Sequence, residues 1–267
     1  MKAPILAAAL AAAAFALPAA AILTRADRDD EEYRELATRY PAAVSLGAPA
    51  ATGALVAPRW VLTTAGAAQA LRSLKGPVAI EGQPNEVQEI FVHPDWKPGG
   101  DADIALVFLR APVSGVEPVP IYRQADEAGQ AARIVGRGAS GRIGGPAREP
   151  AGVLRAAINT VDRVAPRTLG LRLKGPEEAS DLQGALAADD LGAPAFLEVG
   201  GRILLGGIAS RAEGANRDGI AARVGDWETY TRVSAFADWI DEAMAKAAVA
   251  EAAREVGKPG TGTGRRP

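Results

Sequence analysis

The chain has 267 residues, 48% of them hydrophobic, and its 30 basic and 32 acidic side chains leave a formal net charge of −2. This is enough apolar material for one large globular domain or two small ones, and the balanced charge creates no overall field that would attract nucleic acid or anionic lipid. The absence of cysteine excludes disulfides, thiolate zinc sites and a cysteine nucleophile, and the single histidine, His93, is the one candidate for imidazole-based proton transfer.

Residues 1–21 are predicted to be an export signal. Lys2 supplies a positive start, an apolar run covers 5–17, and small residues precede Ile22, where the mature chain is expected to begin. The run is too short for a typical membrane span, and charged residues follow from Arg25 onward. We therefore predict a secreted or periplasmic protein with no integral membrane span after signal removal.

The charged stretch 25–39 is interpreted as a solvated surface segment with a short helix, because Tyr33 and Leu36 are three residues apart. Its adjacent acidic residues do not converge on one point, so no metal site is predicted.

From residue 41 onward, short apolar runs broken by Gly, Pro and Asn indicate many strands. The first predicted series is 42–46, 53–57, 60–63, 78–80, 86–92 and 104–109. The second is 132–136, 153–160, 169–173, 195–199, 202–208 and 228–232.

A polar segment at 123–130 separates the two series, and twelve strands without helical patterns between them favour all-β barrels or sandwiches. One helix is predicted near the end, over 234–252, with Ser234 as its N-cap and an apolar stripe packed on the preceding strands. The segment 253–267 is expected to be a disordered tail. The glycine-rich segment at 136–145 lacks the strand-to-helix context of a nucleotide site, so no cofactor is predicted.

Three segments carry a resemblance to the trypsin and chymotrypsin family of serine proteases, in the family's order. They are GALVAPRWVLTTAGAA (53–68), VHPDWKPGGDADIALVFLRAPV (92–113), and DDLGAPAF (189–196) followed by ILLGGIAS and YTRVSAFADWI. The resemblance implies two packed six-stranded antiparallel Greek-key β-barrels of the chymotrypsin type with a C-terminal α-helix. Their expected bounds are 41–122 and 131–232, within a domain spanning 22–252.

Transferred residue by residue, the family's catalytic histidine falls on Gly66, its aspartate on Asp103 and its serine nucleophile on Leu191. Acyl transfer in this family needs a hydroxyl, an imidazole and an orienting carboxylate, and two of the three are missing here. The resemblance therefore implies that no catalytic triad is intact. His93 matches the family's His-Pro turn and is expected to be structural.

Other positions of the resemblance have structural roles. Asp103 is expected to accept hydrogen bonds from backbone amides near Gly66 and from Ser210, bracing the junction of the barrels. Asp189 and Asp190 lie in the oxyanion loop, and Asp190 matches the aspartate that pairs with a newly formed N-terminal ammonium. Removal of the signal would create such an ammonium on Ile22.

The specificity pocket also departs from the family pattern. Its floor position is Ala185, which offers no carboxylate, and Arg211 stands where the family usually has an aromatic residue. With Leu191, these residues define the expected binding cleft, either open to a peptide or closed. The leading hypothesis is thus a non-catalytic binding or regulatory protein with a protein or peptide ligand, its oligomeric state left open. The alternatives are a serine-type hydrolase or endopeptidase with a non-standard site, and a structural component of the cell envelope.

Overall fold

The computed structural model describes residues 22–46, 52–74, 76–138, 140–148, 153–187, 190–213 and 219–256, so the predicted signal lies outside the described residues. The first described elements are β1 (Leu23–Thr24) and α1 (Asp30–Ala37). At the start of α1, the Glu32 carboxylate accepts a hydrogen bond from the Asp29 amide. Tyr33 is fully buried and donates to the Gln183 carbonyl oxygen, so the charged stretch 25–39 is anchored rather than simply solvated.

Seven strands of the first half form one antiparallel sheet in the order β6-β5-β2-β3-β4-β8-β7. Its two edge strands, β6 and β7, are separated in the chain only by Glu86, so the sheet curls until its edges nearly meet. The elements of this half are β2 (Ala43–Ser45), β3 (Thr52–Ala57), β4 (Trp60–Thr63), α2 (Ala65–Leu74), β5 (Val78–Ile80), β6 (Gln83–Asn85), β7 (Val87–Val92) and β8 (Ala105–Leu109).

The helix α2 was not predicted from the sequence. Its segment, AGAAQALRSL, contains four alanines and two leucines, which have high helix propensity. Thr64 caps the helix, because its hydroxyl oxygen accepts a hydrogen bond from the Ala67 amide at 3.2 Å. The expectation that no helix interrupts the strands was therefore wrong at this point, and the helix includes Gly66, onto which the resemblance transfers the family's histidine position.

The second half forms a closed six-stranded barrel in the order β12-β13-β17-β16-β15-β9, with every pair antiparallel. Gly200 and Gly201, both with positive φ, form the two-residue turn between β15 and β16. The barrel strands are β9 (Ala131–Gly136), β12 (Arg155–Val164), β13 (Thr168–Arg172), β15 (Pro194–Val199), β16 (Arg202–Ala212) and β17 (Trp227–Arg232). Three short strands of this half lie outside the barrel: β10 (Ser140–Arg142), β11 (Ala147–Arg148) and β14 (Gly184–Ala185).

A small third sheet, in the order β11-β10-β1-β14, was not expected. In it β1 pairs in parallel with β10 and antiparallel with β14. The chain following residue 21 is thereby inserted between two segments of the second half. With two closed or nearly closed barrels, the predicted chymotrypsin-like all-β fold class is confirmed, although the first barrel has seven strands rather than six.

The C-terminal helix packs against the barrels. A 3-10 turn (Val233–Phe236) leads into α3 (Ala237–Val256), so the helix begins after the predicted 234 and runs past the predicted end at 252. Residues 253–256 are thus helical rather than part of a disordered tail, as their composition, AREV, permits; the rest of that segment lies outside the described residues. Ser234 is not the N-cap, since its hydroxyl donates to the Glu127 carboxylate at 2.5 Å.

Candidate active site

Asp103 joins the two halves of the molecule. One carboxylate oxygen accepts a hydrogen bond from the Gly66 amide at 3.1 Å, and the other accepts one from the Ser210 hydroxyl at 2.7 Å. Its main-chain carbonyl oxygen accepts a third from the Thr231 hydroxyl, also at 2.7 Å. Gly66 belongs to the first half, whereas Ser210 and Thr231 lie in the closed barrel. These bonds fix the orientation of the carboxylate without any imidazole.

Gly66 is the second residue of α2, and its backbone explains why the contact with Asp103 persists. The donor is a main-chain amide, so the bond does not depend on the side chain at this position. A Cβ atom added to Gly66 would meet no heavy atom of the described residues within 4 Å. Both Gly66 and Asp103 are partly exposed as residues, and the space where a side chain would begin at Gly66 is open.

Leu191 is connected to the Asp103 site through the next residue of the chain, Gly192. Gly192 donates its amide to the Ala209 carbonyl oxygen at 2.8 Å, and Ala209 precedes Ser210, the donor to Asp103. The Leu191 carbonyl oxygen accepts a bond from the Thr52 amide, while the side chain is 42% exposed. A continuous path of bonded residues thus connects the positions expected for nucleophile, carboxylate and base, and the first and last are leucine and glycine.

Three further hydroxyls of this region, those of Thr63, Thr64 and Ser210, are committed to structural hydrogen bonds, whereas the buried Thr52 hydroxyl has no hydrogen-bond partner among the described residues. Thr63 is fully buried and donates to the Thr52 carbonyl oxygen at 2.8 Å. Thr64 accepts from the helix α2, and Ser210 donates to Asp103. A nucleophile must be deprotonated by a base within hydrogen-bond reach, and the described partners of these three hydroxyls include no imidazole or amine.

His93 is held elsewhere. Its Nδ1 accepts a hydrogen bond from the Asp95 amide at 3.1 Å, which closes the His-Pro turn. The ring packs against Phe236 and Trp239, with centroid distances of 5.1 and 5.0 Å. Partial burial lowers the pKa of His93, against the opposing effect of the Asp95 carboxylate. The imidazole therefore ties the turn to the C-terminal helix.

Asp190 is almost completely buried in the loop before Leu191. One carboxylate oxygen accepts from the Gly138 amide at 2.6 Å, and the other accepts from the Ala187 amide at 2.9 Å. Ile22 is also fully buried. Its side chain lies near the Asp190 carboxylate, because a Cβ atom placed on Gly136 would lie 2.4 Å from an Asp190 oxygen and 3.2 Å from the Ile22 Cδ1 atom. The neighbouring Asp189 lies outside the described residues.

The three expected cleft residues differ in exposure. Leu191 and Arg211 are exposed, and the Arg211 guanidinium has no ion-pair or hydrogen-bond partner among the described residues. Ala185 is fully buried: its backbone pairs with Leu23, and its methyl group belongs to a small apolar cluster. Ala185 therefore offers no accessible surface to a ligand, so among these three residues only Leu191 and Arg211 are accessible.

Glu228, a buried carboxyl group of β17, was not predicted from the sequence. It accepts hydrogen bonds from the Leu186 amide at 2.5 Å and from the Tyr230 hydroxyl at 3.2 Å. Burial raises the pKa of Glu228 to about 8, and the charges of Asp190 and Asp226 act in the same direction. The period of two in a strand could have identified it, because it places Glu228 on the same face as the aromatic residue Tyr230.

No group of three or more His, Cys, Asp or Glu side chains in the described part of the chain could hold a metal ion. Among the helices that the structure describes, none combines the length and apolar character needed to cross a membrane.

Comparison with known proteins agrees with the architecture. The family model for Trypsin matches residues 28–240. The chain is also 31% identical over 219 residues to serine protease 56 of Mus musculus, which covers 74% of this chain and 35% of the mouse protein. It thus spans well under half of that relative's length. From the extent of the family match and the two-barrel structure, this chain belongs to the trypsin family.

Proposed function

We propose that this chain is an exported member of the trypsin family without peptidase activity, which acts as a binding or regulatory protein. The observation that carries the proposal is the composition of the site around Asp103. A glycine and a leucine occupy the positions from which the family's base and nucleophile act. Without an imidazole there to activate a hydroxyl, the acyl-transfer mechanism of the family has no starting step.

The persistence of Asp103 has a non-catalytic explanation that supports this proposal. Each hydrogen bond to a charged group stabilises a fold by roughly 1.5–3 kcal/mol, and Asp103 accepts two through its carboxylate from opposite halves of the molecule. A residue that joins two barrels in this way would be retained for stability alone. We therefore assign Asp103 and Ser210 a bracing role.

A second proposal concerns the N-terminal segment. Cleavage after residue 21 would place an ammonium on Ile22, whose buried side chain lies beside the Asp190 carboxylate. Pairing of the two charges would lower the free energy of the mature form, since a buried carboxylate is strongly stabilised by an opposite charge. Asp190→Asn should therefore lower the melting temperature of the chain beginning at Ile22 more than that of the uncleaved chain. Equal losses in both forms would refute the pairing.

The principal alternative is a serine-type hydrolase with a non-standard site, and a direct chemical test separates it from an inactive protein. A fluorophosphonate probe should not label the mature wild-type chain, because no hydroxyl there is activated by a base. The variant carrying both Gly66→His and Leu191→Ser restores the two groups on the existing Asp103 brace and should be labelled. The Gly66→His variant alone is the matched control and should stay unlabelled.

Labelling of the wild-type chain would refute the loss of activity. If neither the wild-type chain nor the double variant reacts with the probe, the wild-type chain is assayed for hydrolysis of peptide and ester substrates. Turnover that a single substitution in the chain abolishes would support a serine-type hydrolase with a non-standard site. A structural envelope component would instead be recovered attached to other envelope material rather than free in the exported fraction.

A further inference from the structure

The structure contains an oriented carboxylate beside an empty side-chain position. The two oxygens of Asp103 are each held by one donor, the Gly66 amide and the Ser210 hydroxyl. A carboxylate offers about four acceptor sites, so both oxygens retain capacity for a further donor. Asp103 as a whole residue is partly exposed, and the space at the Gly66 Cβ position is open.

We propose that this space is a socket for a cationic side chain, a lysine or arginine, supplied by a bound protein or peptide. The inference rests on the proposed function, because it names the ligand chemistry of a site that no longer catalyses. A cation in the socket would donate to a carboxylate already fixed by two bonds, so little side-chain entropy is lost on the protein side. Partial burial also makes the attraction stronger than that of a fully exposed ion pair.

The surroundings favour a long side chain with an apolar stem. Leu191, which is connected to the Asp103 brace through Gly192 and Ala209, leaves a substantial part of its side chain exposed. Lysine and arginine commonly lay their methylene groups on such apolar surface while the charged end reaches a polar partner. An isolated small cation would gain only the contact with the carboxylate.

An anionic ligand is disfavoured at the same place. Two N-terminal amides of α2 that could receive an anion are already used, since the Gly66 amide bonds to Asp103 and the Ala67 amide bonds to Thr64. The Asp103 charge would repel an approaching anion. The exposed Arg211, next to Ser210, reduces the general negative field, so a cation is expected to bind only by direct contact with Asp103.

The test uses blocked pentapeptides with lysine, arginine or norleucine between alanine pairs, titrated onto the full mature chain. Binding is followed through the NMR signal of the Gly66 amide, which is bonded to the carboxylate in question. We expect the lysine and arginine peptides to bind roughly tenfold or more tightly than the norleucine peptide, as a hydrogen bond to a charged group implies.

Two variants locate the binding. Asp103→Asn should remove the preference for the cation, and Gly66→Leu should abolish binding by filling the space while leaving the carboxylate intact. Asp101→Asn is the matched control, because it changes the charge equally in the same loop but its carboxylate faces Arg167 at 3.6 Å. It should leave the affinity within about twofold of the wild type, since solvent screens an exposed charge.

Equal binding of the lysine and norleucine peptides, or affinity unchanged by Gly66→Leu, would overturn the proposal. Gly66→Leu also decides the matter if Asp103→Asn does not fold. Mass spectrometry of the same samples keeps the two proposals separate. Cleaved peptide would refute the loss of peptidase activity, whereas intact peptide without cation-dependent binding would refute the socket alone.

Discussion

We expect the stability of this protein to depend on pH through the buried carboxyl group of Glu228. Burial holds its pKa near 8 in the folded chain, against an ordinary value of 4.5. Between these values the folded state binds more protons than the unfolded state, so the free energy of unfolding falls as pH rises. Asp190, Asp226 and Tyr230 are the titratable groups around it, and the two aspartates oppose its ionisation.

The size of the effect follows from the interval. One pKa unit corresponds to about 1.4 kcal/mol, so the shift sets an upper bound of roughly 5 kcal/mol on the stability lost between pH 4.5 and 8. Glu228→Gln keeps an oxygen to accept from the Leu186 amide and cannot ionise. We expect the variant to lack this loss, so that its stability relative to the wild type increases steadily across the window and levels off above pH 8.

Urea unfolding curves recorded between pH 4.5 and 9 measure this difference directly. The control is Glu177→Gln, which neutralises an exposed carboxylate and should give a curve parallel to that of the wild type. Parallel pH profiles for the wild type and Glu228→Gln would refute the reasoning, because they would show that Glu228 titrates alike in the folded and unfolded chains.

Two further predictions concern stability. Glu127→Ala should destabilise the fold by about 3–5 kcal/mol, because it leaves the Arg232 guanidinium without the fully buried Glu127 carboxylate that it now binds. Asp241→Ala removes a carboxylate from an exposed ion pair and should cost at most about 1 kcal/mol. Similar losses of stability for the two variants in chemical denaturation would contradict this difference. Gly192→Ala should cost at least about 2 kcal/mol, since the φ of Gly192 is +81° and the new methyl carbon would lie 2.1 Å from a backbone carbonyl oxygen. Gly66→Ala places its methyl group in open space on a helix and should stabilise the fold by roughly 0.5–1 kcal/mol. Melting temperatures that change alike in the two variants would refute this contrast between a crowded and an open glycine position.

Much of the fold could be predicted because its strands are long enough to show their pattern. Runs such as 60–63 and 78–80 match the observed β4 and β5, and the other predicted strands overlap observed ones. The short strands β1 and β14 have two residues each, too few to display any period. Their formation depends on partners distant in the chain, which local sequence does not reveal.

The site was predictable in part for a related reason. The positions of Gly66, Asp103 and Leu191 follow from motifs, and so does the pairing of Asp103 with Ser210. Burial depends on the tertiary packing instead. That is why the sequence could not decide whether the cleft at Ala185 is open or closed, and why Glu228 was overlooked, although neither residue lies far from a recognised motif.

The proposed function depends most on the inference that the residues around Asp103 cannot cleave a peptide bond. The most direct measurement is digestion of a broad peptide library by the purified mature chain, analysed by mass spectrometry beside an Asp103→Ala preparation. We predict the same products, at background level, from both proteins. A cleavage product that the wild type forms and the Asp103→Ala chain does not would contradict the account.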